Sequence, residues 1–273
     1  MRAGPVGVFD SGLGGLSVLQ ALRAELPQQD FIYVADSGHA PYGERDADHV
    51  ITRSRALSAW LLDQGVQALV IACNTATAAA IDLLRAEHPQ LPIIGVEPAL
   101  KPAAALSTTR RIGVMATRST LASARFGQLL DALSPHAEFV LQPCDGLAEA
   151  IEQATLQPEN ATELIAACAR HTGAMGRFGL KTGDMDTLVL GCTHYPFAAA
   201  ALRQLVGPEV RLIDTGEAVA RQTRRLLPGR EAGDTAAGSG HVQLLTTGRG
   251  PLLEAAAARW LAPGLSVTPL SLS

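Results

Sequence analysis

Apolar, β-branched runs of strand length recur along this chain; they end in Gly, Asp, Ser or Thr and lead into stretches rich in Ala and Leu with helical spacing. That alternation predicts an α/β fold. "PVGVFD" reads as the first strand and "SVLQALRAEL" as a helix stopped by Pro27. "DFIYVAD" is the next strand, followed by a long helix over "DADHVITRSRALSAWLLDQG", with Asp46 as its cap and Gly65 beyond its end. "VQALVIAC" is almost wholly apolar, as a strand covered on both faces of a parallel sheet must be. The helix "TATAAAIDLLRAEH", ended by Pro89, and the strand "LPIIGVE" complete this first block.

A second block repeats the first loosely. "RRIGVMATRST" echoes "GPVGVFDSGLG", "TLVLGCTHYPFAAAALRQL" echoes "ALVIACNTATAAAIDLL", and "VRLIDTGEAVA" echoes "LPIIGVEPALK". A duplication outranks local motifs in setting architecture. It places a cysteine, Cys73 and then Cys192, at the carboxyl end of equivalent strands, where open parallel sheets bind ligands. The tail "HVQLLTTGRGPLLEAAAARWLAPGLSVTPLSL" reads as strand, helix and strand, and Gly173 to Asp184 as a Gly-rich loop.

Composition narrows the chemistry. With 273 residues, 47% hydrophobic and 18% charged, the chain can bury one large core or two smaller ones. A formal charge of −4, with Lys and Arg scattered, gives no footprint for nucleic acid or an anionic membrane, so a small-molecule ligand is expected. The N-terminal stretch lacks a basic segment followed by an apolar one, and no apolar run approaches the ~20 residues of a membrane span. The expectation is a cytoplasmic protein whose four cysteines, Cys73, Cys144, Cys168 and Cys192, are reduced.

Cys73 precedes Asn74 and Thr75 at a helix start, where unsatisfied N–H groups and the helix dipole favour an anion: a thiolate or a substrate carboxylate. Cys192 has a similar setting, with His194 two residues on and Pro196 in the first helical turn. A single strand-end cysteine is as well explained as a buried structural residue. Zinc lacks the short ligand spacing it needs, and a Cys-His hydrolase leaves one thiol unexplained. Two thiols flanking a carbon suit a reaction that takes a proton from one face and delivers one to the other, a two-base racemisation. Lys101 and Lys181 lack a convincing Schiff-base setting, so no cofactor is demanded. Asp10 ends the first strand in "VFDSGLGG", which lacks the third glycine of a dinucleotide turn; it reads as a turn cap or, near a thiol, as a proton acceptor.

"FDSGLGG", "ADSGHAPYG", "IACNTATA", "GVEPALKPA" and "DTLVLGCTHYPF" resemble, in order, the signature segments of the glutamate racemases, within the wider aspartate/glutamate racemase superfamily, and "LLTTGRGPLLEAAAARWL" is similar to their C-terminal segment. The resemblance implies two pseudo-symmetric three-layer α/β domains with mainly parallel sheets and the active site at the domain interface. The first domain would combine 1–97 with 209–273, leaving 98–208 as the second. It implies cofactor-free interconversion of L- and D-glutamate to supply D-glutamate for peptidoglycan, with Cys73 the base for D-glutamate and Cys192 for L-glutamate. Asp10 would assist Cys73, and His194 would assist Cys192. A further catalytic glutamate maps to "QPCDGLAEAIE", with Asp145 where proline is usual; Glu149 is the choice and Glu152 its rival. Substrate contacts carry over to Asp10, Ser11, Tyr42, Gly43, Asn74, Thr75, Thr193 and His194, with Thr117 as a further one. No metal is implied, a homodimer is expected, and some family members inhibit DNA gyrase. Alternatives are racemisation of aspartate or another amino acid, and an amino-acid-binding or gyrase-inhibiting regulator on this scaffold.

Overall fold

In the computed structural model, which describes residues 4–227 and 240–272, the apolar runs become short parallel strands, most of them leading into a helix. The first block gives β1 (Val6–Asp10), α1 (Leu16–Glu25), β2 (Phe31–Ala35), α2 (Ala47–Asp63), β3 (Ala68–Ile71), α3 (Asn74–Glu87) and β4 (Ile93–Gly95). Asp46 caps α2 by accepting from His49 N–H at 2.7 Å, and Gly65, at φ 75°, takes the left-handed conformation that turns the chain toward β3. The second block runs α4 (Leu100–Leu106), β5 (Arg111–Ala116), α5 (Arg118–Ala122), α6 (Ala124–Leu133), β6 (Glu138–Pro143), α7 (Leu147–Leu156), α8 (Ala161–Met175), β7 (Thr187–Gly191), α9 (Ala199–Val206) and β8 (Arg211–Ile213). The tail adds α10 (Gly216–Leu226), β9 (Val242–Thr246), α11 (Gly250–Trp260) and β10 (Val267–Pro269). Among the described residues, no helix is long and apolar enough to cross a membrane.

The chain divides into two units, Met1–Val96 with Gly216–Ser273, and Glu97–Thr215. The first holds a six-stranded sheet in the order β10-β9-β2-β1-β3-β4, the second a four-stranded sheet in the order β6-β5-β7-β8, and every pairing is parallel. The order β2-β1-β3-β4 recurs as β6-β5-β7-β8, so the sequence echoes correspond strand for strand. The second division falls after Thr215 and not at 209, because β8 pairs with β7 in the second sheet as β4 pairs with β3 in the first. Positions 1–3, 228–239 and 273 of the expected first domain lie outside the described residues.

Alternating strand residues feed opposite sides of each sheet. In the second unit Met115, Leu188 and Leu190 pack with α7, α8 and α9, while Ile112, Val114 and Val189 pack with α4 and α6, which makes three layers. In the first, Phe9, Ile32, Val34, Leu69 and Ile71 meet Leu57 and Leu61 of α2 and Ala80 and Leu84 of α3. The Gly-rich stretch begins inside α8 at Gly173 and then folds on itself, with Gly179 N–H donating to Met185 O at 3.0 Å and Met185 N–H to Arg177 O at 2.9 Å.

At the opposite end of the second sheet from Cys192, buried Asp186 ties β7 to the α4–β5 loop. Its Oδ1 accepts from Ser107 Oγ (2.6 Å), and its Oδ2 from Thr108 N–H (2.6 Å), Thr108 Oγ1 (2.7 Å) and Thr109 N–H (3.1 Å). Burial alone would raise this carboxyl, but the donors hold it well below the usual carboxylate range. A depressed folded-state value contributes stability above the unfolded value of ~3.9 that is lost as pH falls through the folded one. Asp186→Asn turns one acceptor into a donor facing donors, and is expected to lower unfolding free energy by about 2–3 kcal/mol at pH 7, with the deficit shrinking below pH ~4, read by urea melts at both pH values.

Candidate active site

Sheet topology selects where chemistry can sit. In the first sheet the chain leaves β1 for β2 on one side and returns to β3 on the other, and in the second β5 is flanked likewise by β6 and β7. Ligands of open parallel sheets bind outside the carboxyl ends of the strands at such a reversal. Asp10 ends β1, Ser11 follows it and Cys73 follows β3; Thr117 follows β5, and Cys192, Thr193 and His194 follow β7. Each unit thus carries its own strand-end cluster, with the expected residues on both sides of the reversal.

In the first unit Cys73 is the N-cap of α3, 5% exposed, and its Sγ accepts from Ala76 N–H at 3.4 Å. The thiol therefore faces the unsatisfied N–H groups of a helix start. Ser11 Oγ lies 3.7 Å from Cys73 Sγ and 3.4 Å from Asp10 Oδ1, so Ser11 links the acid to the thiol. Asp10 is fully buried, and its Oδ2 accepts from Gly15 N–H at 2.6 Å. A Cβ on Gly15 would lie 2.7 Å from Asp10 Cβ and 2.9 Å from Tyr33 Oη, so only glycine allows this close approach. Asn74 is buried at the first position of α3 and its Oδ1 has no hydrogen-bond partner among the described residues. An orphaned buried acceptor at a helix start is a place for a ligand's N–H. Thr75 is buried beside it, and Tyr42 and Gly43 begin a short 3₁₀ turn, Tyr42–Glu44, that packs on α3.

The second cluster is not a copy. Cys192 does not cap a helix; a 3₁₀ turn, Tyr195–Ala198, intervenes before α9, and His194 is its N-cap. Cys192 Sγ lies 3.7 Å from His194 Nδ1, and His194 Nε2 lies 2.8 Å from Glu152 Oε1. This thiol–imidazole–carboxylate chain orients the ring and gives a proton a route. Burial alone would lower the imidazole's proton affinity, but the contacts to Cys192 and Glu152 outweigh it and raise His194 well above its ordinary value. Thr193 is buried between the two groups in sequence. Thr117 acts first as the N-cap of α5, its Oγ1 accepting from Thr120 N–H at 3.2 Å.

The glutamate beside His194 is Glu152, and Glu149 is exposed. Helix phase explains the difference. Leu147, Ile151, Ala154 and Thr155 form the buried stripe of α7; Glu149 stands opposite it and Glu152 on its flank. That signal was present in the sequence as the spacing of those four residues.

The other two cysteines lie in the core of the second unit. Burial pushes the Cys144 thiol up to about 12 and the Cys168 thiol to about 11, so both stay protonated and unreactive at neutral pH. Among the described residues no group of three or more His, Cys, Asp or Glu is arranged to hold a metal ion.

Comparison with known proteins finds relatives over most of the chain. Residues 16–223 match the family model of the Asp/Glu/Hydantoin racemases. The chain is 52% identical over 223 residues to the glutamate racemase of Ectopseudomonas mendocina, covering 82% of each chain. Among solved structures, the glutamate racemase isoform RacE1 of Bacillus anthracis superposes with a TM-score of 0.83 at 29% identity, covering 100% of this chain and 99% of that one. The Escherichia coli glutamate racemase, solved in complex with L-glutamate and the activator UDP-MurNAc-ala, gives 0.83 at 28% identity, with 99% of each chain covered. The chain belongs to the Asp/Glu/Hydantoin racemase family, alongside the curated glutamate racemases.

Proposed function

We propose that the protein interconverts L- and D-glutamate by proton transfer at the α-carbon, with Cys73 and Cys192 as the two acid/base groups and no cofactor. The observation that carries this reading is the duplicated reversal of strand order, which gives each unit one strand-end thiol with its own proton partners: Ser11 and Asp10 for Cys73, His194 and Glu152 for Cys192. Racemisation in this reading takes a proton from one face of the α-carbon and gives one to the opposite face. Cys192 as thiolate removes the α-proton of L-glutamate while Cys73 as thiol protonates the opposite face, and the roles reverse for D-glutamate. His194 and Glu152 stabilise charge as Cys192 changes state, and Asp10, through Ser11, does so for Cys73.

Substrate recognition in this reading uses hydroxyls, amides and backbone N–H groups. Asn74 Oδ1 accepts from the ammonium group, and the N–H groups at the start of α3, with Ser11, Thr75, Thr117 and Thr193, hold carboxylate oxygens, while Tyr42 and Gly43 contribute through their turn. The product supplies peptidoglycan assembly in the cytoplasm. L-glutamate incubated with the purified protein in D₂O should gain α-deuterium and yield D-glutamate. A protein that only binds the amino acid gives neither. Faster turnover of L-aspartate in a parallel run overturns the substrate assignment.

A further inference from the structure

Five side-chain contacts converge on Asp36, a residue outside the contacts assigned above. Its Oδ2 accepts from Tyr42 Oη at 2.5 Å and Arg53 Nε at 3.0 Å; its Oδ1 accepts from Arg53 Nη2 at 3.0 Å and Thr247 Oγ1 at 2.8 Å, with His39 Nδ1 at 3.2 Å. The donors come from three segments: the loop after β2, helix α2, and the loop between β9 and α11. Asp36 is fully buried, Arg53 is 8% exposed and Tyr42 1%. Asp36 N–H also donates to Asp10 O at 2.8 Å, which places this hub one strand from the Asp10–Cys73 cluster.

Net stability is a poor account of such a pair, because desolvation offsets most of the attraction between two buried charges. Direction is a better one. Arg53 grips both oxygens and fixes the plane of the carboxylate, which aims Oδ2 at the Tyr42 hydroxyl. Burial and the neighbouring charge keep that phenol protonated, so it remains a donor to Asp36. Thr247 Oγ1 donates to Asp36 and accepts from Gly38 N–H at 3.1 Å, closing the same loop from its other side. Tyr42 lies in the hydrophobic cluster that contains Cys73 and Ala76. With its hydroxyl engaged by Asp36, Tyr42 meets a ligand through its ring edge or the backbone of its turn.

We propose that Asp36, held by Arg53 and Thr247, is a positioning residue that fixes the Tyr42–Gly43 turn beside Cys73 and thereby sets substrate affinity, taking no part in proton transfer. This rests on the reading of Tyr42 and Gly43 as substrate contacts. Its mark is a split between KM and kcat, because a misplaced binding turn weakens ground state and transition state together.

Tyr42→Phe and Thr247→Val, made singly and together, are the primary test, with initial rates measured for both enantiomers. Tyr42→Phe is expected to raise KM about tenfold with kcat within about threefold, and Thr247→Val to raise it by less. The double variant should rise no further than Tyr42→Phe alone, because both act through Asp36. Asp36→Asn should match Tyr42→Phe in KM; if the buried charge of Arg53 prevents it from folding, the Tyr42 and Thr247 variants decide the matter alone. Unchanged KM in Tyr42→Phe, independent additive effects, or a fall in kcat at constant KM overturns the proposal, the last by placing the hub in the proton path. Cys73→Ala, assayed in parallel, keeps the two levels apart. Activity surviving there removes the reading of the site itself, whereas an inactive Cys73→Ala with unchanged KM in Tyr42→Phe removes only the role of Asp36.

Discussion

Cys73→Ala and Cys192→Ala should each reduce racemisation by about a thousandfold or more, the range that loss of one positioned acid/base group produces. Neither residue can stand in for the other, because inversion needs a proton taken from one face and given to the opposite one. Both side chains are small and buried at the edge of their cores, so removing a sulfur should cost about 1 kcal/mol and leave the fold intact. Thermal melts on the same samples separate lost chemistry from lost structure. L- and D-glutamate are isoenergetic, so kcat/KM must fall equally in both directions; apparent loss in one direction only would expose an assay fault. Near-normal turnover in either variant would remove the two-base mechanism.

Glu152→Gln is expected to lower kcat about tenfold to a hundredfold, while Glu149→Gln leaves it unchanged. Glu152 holds His194 at 2.8 Å and is one of the two contacts that raise its proton affinity, whereas Glu149 faces away from the buried stripe of α7. The sign follows from the proton count. His194 titrates above the ordinary ~6.5 in the folded protein, so its contribution to stability is full below ~6.5 and lost as pH rises through the folded value. Removing the carboxylate brings that value down, so the alkaline limb of the rate profile should move to lower pH in Glu152→Gln and stay put in Glu149→Gln. Because the change slows the Cys192 step, the primary isotope effect with α-deuterated L-glutamate should rise in Glu152→Gln. Equal profiles for the two glutamine variants would sever Glu152 from the reaction.

The strand–helix alternation, the caps Asp46 and Gly65 and the duplicated strand-end cysteines were legible in the sequence by itself, because each is written in local spacing: apolar runs, breakers, and one motif met twice. The boundary at Thr215 was half-legible, since the echo of "LPIIGVE" in "VRLIDTGEAVA" already makes β8 the counterpart of β4. That Glu152 and not Glu149 meets His194 was half-written in the phase of α7, but the partner itself lies 42 positions away in the chain. Tertiary structure alone decided the rest. Asp36 gathers donors from α2 and from a loop 211 positions further along, and no local pattern announces where such donors converge. Cys144 and Cys168 carry the same thiol as Cys73, and desolvation in the core of the second unit is the largest cause that raises them. Local periodicity determines which elements form; which side chains meet across them is set by the order in which the strands assemble.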